Sequence, residues 1–265
     1  MHSLFVEETW INASQGRLFV KRWIPKNITG PAPIILFHDS LGCVALWRDF
    51  PQQLASATGR EVIAYDRLGF GQSDPHPGTL GPDFVRQEAQ DTFPELCQAL
   101  QRESAVVFGH SVGGGMATFC AAVFADRCQA LITESAQTFV EDVTLAGIRD
   151  ADRGFAEKEQ MDRLRKYHGD KAQWVLSAWV DTWLSEPFQD WTLSDTLPRV
   201  RCPVLAIHGD QDEYGSLIHP ERITSLCAGP ATKKIVPDCG HVPHKEKPAD
   251  VLDAITAFFQ KKLNG

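Results

Sequence analysis

Short apolar runs recur along the chain at intervals too long for hairpins and long enough for crossover helices. Ile34-Ile35-Leu36-Phe37, Val62-Ile63-Ala64-Tyr65, Ala105-Val106-Val107-Phe108, Ala130-Leu131-Ile132, Val204-Leu205-Ala206-Ile207 and Lys234-Ile235-Val236 have the length of strands. Their hydrophobicity is continuous, not alternating, which predicts strands buried on both faces of a mostly parallel sheet flanked by helices. The helices are sought between the runs. Phe84 to Leu100, Gly114 to Phe124 and Pro248 to Leu263 fit, the last with Val251, Ile255, Phe258 and Phe259 at helical spacing. Ahead of the first run, Thr9 to Trp23 predicts a hairpin turning at Ser14-Gln15-Gly16.

One stretch breaks the alternation. Residues 139–197 carry helical periodicity without a strand pattern, and Val175, Trp179 and Trp183 share one helical face at four-residue spacing. This predicts a helical cap over 139–197, inserted after the sixth strand of an α/β core made of residues 1–138 and 198–265. No internal repeat or low-complexity tract argues for another arrangement.

Composition narrows the function classes. Asp and Glu number 34 against 26 Lys and Arg, a net charge of −8, and no basic run is dense enough to track a phosphate backbone, so no nucleic-acid partner is expected. No run nears the ~20 apolar residues of a membrane span, and Met1 to Glu8 lacks a basic region ahead of an apolar stretch; a soluble, cytoplasmic protein is expected. Seven scattered cysteines within apolar segments suit a reducing compartment, and without a Cys-x-x-Cys pair or Cys/His cluster no metal site is expected.

The sharpest chemical signal is Gly109-His110-Ser111-Val112-Gly113, directly after one apolar run and directly before a Gly-rich helical start. A serine on a tight strand-to-helix turn needs small flanking residues, and its hydroxyl then faces the helix N-terminus, where unpaired N–H groups favour a developing oxyanion. Serine needs a base, and the base an acid to orient it. His241 follows the run ending at Val236, and Asp212 follows the run ending at Ile207, which places both at the carboxyl edge of the sheet. Asp210 and Glu134 are alternative acids. His244 reads as a surface or packing residue, and His38, His110 and His208 as hydrogen-bonding supports. Leu68-Gly69-Phe70-Gly71 lacks the spacing of a dinucleotide loop, so no nucleotide cofactor is expected.

The order Ser111, Asp212, His241, with Asp66-Arg67-Leu68-Gly69-Phe70-Gly71-Gln72-Ser73-Asp74 and Gly209-Asp210-Gln211-Asp212, resembles the α/β-hydrolase superfamily of carboxylesterases, carbon–carbon bond hydrolases and lactonases over nearly the whole length. That resemblance implies the α/β-hydrolase fold and cofactor-free acyl transfer from a small-molecule substrate. It also implies an oxyanion hole from the amides of Val112 and of Ser40 in His38-Asp39-Ser40-Leu41-Gly42, with Leu41 as the alternative. Asp39 stands where the family usually has glycine. Leu41, Trp179 and Trp183 are candidate substrate contacts. Ester hydrolysis is the first expectation; perhydrolysis, carbon–carbon bond hydrolysis, a lyase reaction or a slow-turnover ligand receptor would use the same fold.

Overall fold

The computed structural model describes residues 4–30 and 32–263. Eight strands form one sheet: β1 (Leu4–Ala13), β2 (Gly16–Pro25), β3 (Ile34–Phe37), β4 (Val62–Tyr65), β5 (Ala105–His110), β6 (Cys128–Glu134), β7 (Val204–Gly209) and β8 (Ala231–Val236). Their spatial order is β1-β2-β4-β3-β5-β6-β7-β8. β1 and β2 pair antiparallel as the expected hairpin, β2 meets β4 antiparallel, and every pairing from β4 onward is parallel. Each apolar run of the sequence is a strand. The hairpin is longer than its alternation suggested, because Leu4 to Glu8 gain backbone partners across the ladder despite mixed polarity.

Side chains leave a strand on alternate faces, so each continuous apolar run feeds two cores. Ile35, Phe37 and Val107 pack on one side, while Ile34, Leu36, Val106 and Phe108 pack on the other. The second layer is closed by α1 (Phe50–Thr58) and by the C-terminal helix, whose Val251, Ile255, Phe258 and Phe259 are buried as the spacing predicts. On the first side lie α2 (Phe84–Gln87) and α3 (Phe93–Ala99), joined by a π-helical turn over Glu88–Thr92, and α4 (Val112–Val123).

Between β6 and β7 the chain is helical: α5 (Asp142–Phe155), α6 (Lys158–His168) and α7 (Ala172–Trp183), followed by short 3-10 turns. Within α7, Val175 and Trp183 are buried and Trp179 is half-buried, so the shared apolar face packs inward. Helices α8 (Ile218–Leu226), α9 (Pro243–Glu246) and α10 (Pro248–Lys262) complete the chain. No helix among the described residues is long and apolar enough to cross a membrane.

Where β5 turns into α4, backbone packs directly on backbone. A Cβ on Gly109 would stand 2.0 Å from the Gly113 carbonyl oxygen, and one on Gly113 would stand 2.2 Å from the Phe37 carbonyl oxygen on the neighbouring strand. Neither neighbour is a side chain that can swing away. Gly113→Ala is therefore expected to cost about 3 kcal/mol or more, read as a lowered midpoint of thermal unfolding or loss of folded protein. Gly154→Ala, in α5 with nothing within 4 Å of the added carbon, is expected to be neutral or to stabilise by about 0.5–1 kcal/mol.

Candidate active site

Because the strands from β4 onward run parallel, their carboxyl ends share one edge, and the loops leaving that edge converge. The register aligns Phe37 with Gly109, His110 with Glu134 and Gly209 with Val236. Ser111 follows β5 directly, Asp212 follows β7 and His241 follows β8. Ser111 holds φ 55° and ψ −127°, a positive-φ conformation that a serine occupies only when its surroundings impose it. The imposition is visible: Ser111 N–H donates to the Glu134 carbonyl at 2.8 Å, and Gly114 N–H donates to the Ser111 carbonyl at 2.8 Å.

His241 and Asp212 form a bidentate-like pair, with His241 Nδ1 2.8 Å from Asp212 Oδ1 and 2.9 Å from Oδ2. The Asp212 carboxylate is 1% exposed and is also approached by Tyr214 N–H at 2.8 Å and His208 Nε2 at 3.2 Å. Burial alone would raise its pKa; the hydrogen bond and charge of His241, with His208 and Tyr214 N–H, more than offset that and lower it. Burial likewise opposes charge on His241, but the hydrogen bond and charge of Asp212, aided by Asp39 and Glu213, raise its pKa above the usual 6.5. Ser111 Oγ makes its one hydrogen bond among the described residues to Gln137 Oε1, at 3.5 Å. The serine–imidazole hydrogen bond is thus open in this conformation, as such bonds often are without substrate.

A cavity of about 170 Å³ joins these groups. Ser111, His241, Ser40, Leu41, Trp179 and Trp183 all line it, together with Asp39, Gln137, Thr144, Ile148, Glu213, Tyr214 and Val242. Sequence reasoning had no signal for Gln137: it lies three residues past β6 in a loop without a motif. Val112 is the first residue of α4, where an amide has no intrahelical acceptor. Neither its N–H nor those of Ser40 and Leu41 have an acceptor among the described residues.

The loop over residues 38–44 is held from several sides. Val44 N–H donates to Asp66 Oδ1 at 2.6 Å, and His168 Nε2 of α6 lies 3.0 Å from the Leu41 carbonyl oxygen. His38 Nδ1 lies 2.8 Å from the Asp39 carbonyl oxygen. A Cβ on Gly42 would stand 2.0 Å from Asp39 Oδ1, so the Asp39 carboxylate would have to move aside to admit one.

Of the alternative acids, Asp210 accepts, among the described residues, only a backbone N–H from Cys239 at 3.3 Å, and Glu134 serves another purpose. Glu134 accepts His244 N–H at 2.6 Å on one oxygen and lies 2.6 Å from His244 Nδ1 with the other, tying the segment after His241 to the end of β6. His244 is 3% exposed, so it is a buried packing residue and not a surface one. Burial pushes Glu134 up to about 7 and the His244 ring down to about 3, both toward neutrality. His110 Nε2 donates to the His241 carbonyl at 2.8 Å. His110, Glu134 and His244 place possible ligand atoms within 4.8 Å of one another, a grouping that sequence spacing could not reveal. Their polar atoms are largely spent on the loop that carries His241, and the arrangement works as a hydrogen-bonded brace.

The comparisons with known proteins agree with the fold. A model of the alpha/beta hydrolase family matches residues 34–254. The human serine hydrolase BPHL is 27% identical over 203 residues, covering 74% of this chain and 69% of that protein. A membrane phospholipase A described as a bacterial virulence factor superposes with a TM-score of 0.78 at 20% identity, over 98% of this chain and 87% of that one. An esterase from Thermogutta terrifontis superposes with a TM-score of 0.71 at 21% identity, over 96% of this chain and 98% of that one. At such identities the superpositions speak to fold alone. The family match runs from β3 into α10 and spans the strained serine turn, and on that ground the chain belongs to the alpha/beta hydrolase family and is a hydrolase of that fold.

Proposed function

We propose that the protein is a serine hydrolase of small to medium carboxylic esters, acting through Ser111, His241 and Asp212. The observation that carries the reading is the serine turn and the buried His241–Asp212 pair opening on one cavity. His241 Nε2 takes the proton of Ser111 Oγ as the Oγ–carbon bond forms, and the carbonyl electron pair moves onto oxygen. That oxyanion is received by the amides of Val112 and Ser40. Collapse breaks the bond to the leaving alkoxide, which takes the proton from His241. Water then repeats the sequence on the acyl-enzyme and releases the acid. The sequence needs no cofactor. Asp212 keeps the imidazole in its Nδ1–H tautomer and offsets the positive charge that forms.

Residues 139–197 act as a cap in this reading, since Thr144, Ile148, Trp179 and Trp183 supply one wall of the cavity and residues of the α/β core the other. A cytoplasmic setting suits the seven thiols, all free and six of them buried.

Ser111→Ala is expected to lower kcat for nitrophenyl esters by at least three orders of magnitude with little change in KM, and to abolish labelling by a fluorophosphonate. Wild-type protein inert toward esters of every acyl length would sink the esterase reading. The base must be neutral to act, so the acidic limb of kcat/KM should fall above pH 6.5. Asp212→Asn should move that limb to lower pH and cut kcat by about 10⁴-fold; a limb that stays put would assign it to another group. Trp179→Ala, which opens the cavity wall, should shift preference toward longer acyl chains in the same ester series.

A further inference from the structure

Arg67 is 3% exposed, yet it has no carboxylate within salt-bridge distance among the described residues. Its charge is met only at longer range, chiefly by the buried Glu88, and an apolar side chain of similar length would fill the space without the cost of burying a cation. The cation therefore needs a reason to be there. Its Nη2 donates to one acceptor, the Asp39 carbonyl oxygen, at 2.8 Å. It also lies 3.4 Å from His38 Nδ1, but that nitrogen already directs its own proton to the same carbonyl at 2.8 Å, while Arg67 N–H donates to His38 Nε2 at 3.2 Å. These contacts fix a neutral Nδ1–H imidazole, in keeping with a ring whose pKa is pushed well down by burial and then by Arg67 itself. Gly42 N–H adds a weaker third donor to the Asp39 oxygen, at 3.2 Å.

Three donors thus converge on the carbonyl of the Asp39–Ser40 peptide. In a trans peptide the C=O and the following N–H point in opposite directions, so anchoring the oxygen aims the Ser40 amide. A charge-assisted hydrogen bond at the oxygen also draws electron density through the peptide and makes the far N–H a stronger donor. We propose that Arg67 is a positioning residue, which orients and polarises the Asp39–Ser40 peptide so that the Ser40 amide serves as the second oxyanion donor. The inference rests on the hydrolase reading above and deepens it.

A direct role for Arg67 in holding an anionic substrate fits the surroundings less well. The void it shares with Ser40, Trp179 and Trp183 is about 10 Å³, room for at most one water. Its other open side faces a cavity that also presents Glu88, Asp91 and Glu95, which would repel an anion. Arg67 also stacks on Phe70, with its guanidinium carbon 4.1 Å from the ring centroid, so the head group is fixed in plane. With Asp39 in place of glycine the loop still works, because the peptide's orientation is set by the groups that grip its oxygen.

The test compares wild type with Arg67→Met and Arg67→Lys. In the Met variant kcat for a nitrophenyl ester should fall about 10- to 100-fold at nearly constant KM, since only a transition-state interaction is weakened. Affinity for a trifluoromethyl ketone, which forms an oxyanion on Ser111, should fall by a similar factor. Lys, which returns a charged donor, should recover most of both losses. Independently of turnover, the Ser40 amide ¹⁵N resonance should move upfield in the Met variant, because its carbonyl partner has lost a charged donor. An unmoved Ser40 resonance, or a Met variant with kcat within about twofold of wild type, overturns the proposal. So does a loss of kcat that accompanies a matching drop in melting temperature and that Lys leaves unrestored. Failure of the hydrolase reading itself is distinguishable: wild-type protein then neither turns over esters nor labels at Ser111, while the ¹⁵N comparison still decides whether Arg67 polarises the peptide.

Discussion

Everything at the site depends on a place where backbone touches backbone without side chains between. β5 can turn into α4 only if Gly109 lets the Gly113 carbonyl close in, and α4 can lie against β3 only if Gly113 lets the Phe37 carbonyl do the same. That double contact holds Ser111 at its positive φ and brings the start of α4 beside the end of β3. The loop leaving β3 carries Ser40, and the first amide of α4 belongs to Val112. One steric constraint therefore sets both the placement of Ser111 and the spacing of the two amides proposed to receive the oxyanion.

Around that fixed centre, polar groups are tied down in proportion to what they must hold. Asp212 receives His241, Tyr214 N–H and His208, and Glu134 grips the segment that follows His241 from below. Asp66 takes Val44 N–H and Gln72 N–H, linking the loop after β3 to the loop after β4. Buried carboxyl groups of this kind are expensive when unpaired, and each of their oxygens has at least one hydrogen-bond partner. The cost of burial is converted into loop geometry, which a purely apolar interior could not dictate.

The sheet was legible because a short hydrophobic run without alternation suits a strand covered on both faces and little else; all six are strands in the stated order. The convergence of Ser111, Asp212 and His241 was legible because each follows such a run, at the edge where a parallel sheet gathers its loops. The residues that support them were less so. Glu134 and His244 lie 110 residues apart, and their contact exists only because β6 and the loop after β8 end side by side. Gln137 sits in a loop with no spacing rule, and α1 and α8 are each nine residues long, too short to build a convincing helical period. The hairpin's first strand reached back to Leu4 because pairing, not alternation, decides where a strand begins.

His168 of α6 takes Gly71 N–H on its Nδ1 at 2.9 Å and reaches the Leu41 carbonyl with Nε2. One imidazole from the helices between β6 and β7 is thus stitched into the loop after β3 and the loop after β4. These helices are consequently not a detachable module. Exchanging them wholesale for the corresponding segment of another hydrolase would alter more than the shape of the cavity, because it would remove a hydrogen bond from the loop that carries Ser40. A chimaera that keeps an imidazole at this point starts with its loop intact, and one that lacks it inherits a slack loop whatever substrate its new helices were shaped to hold.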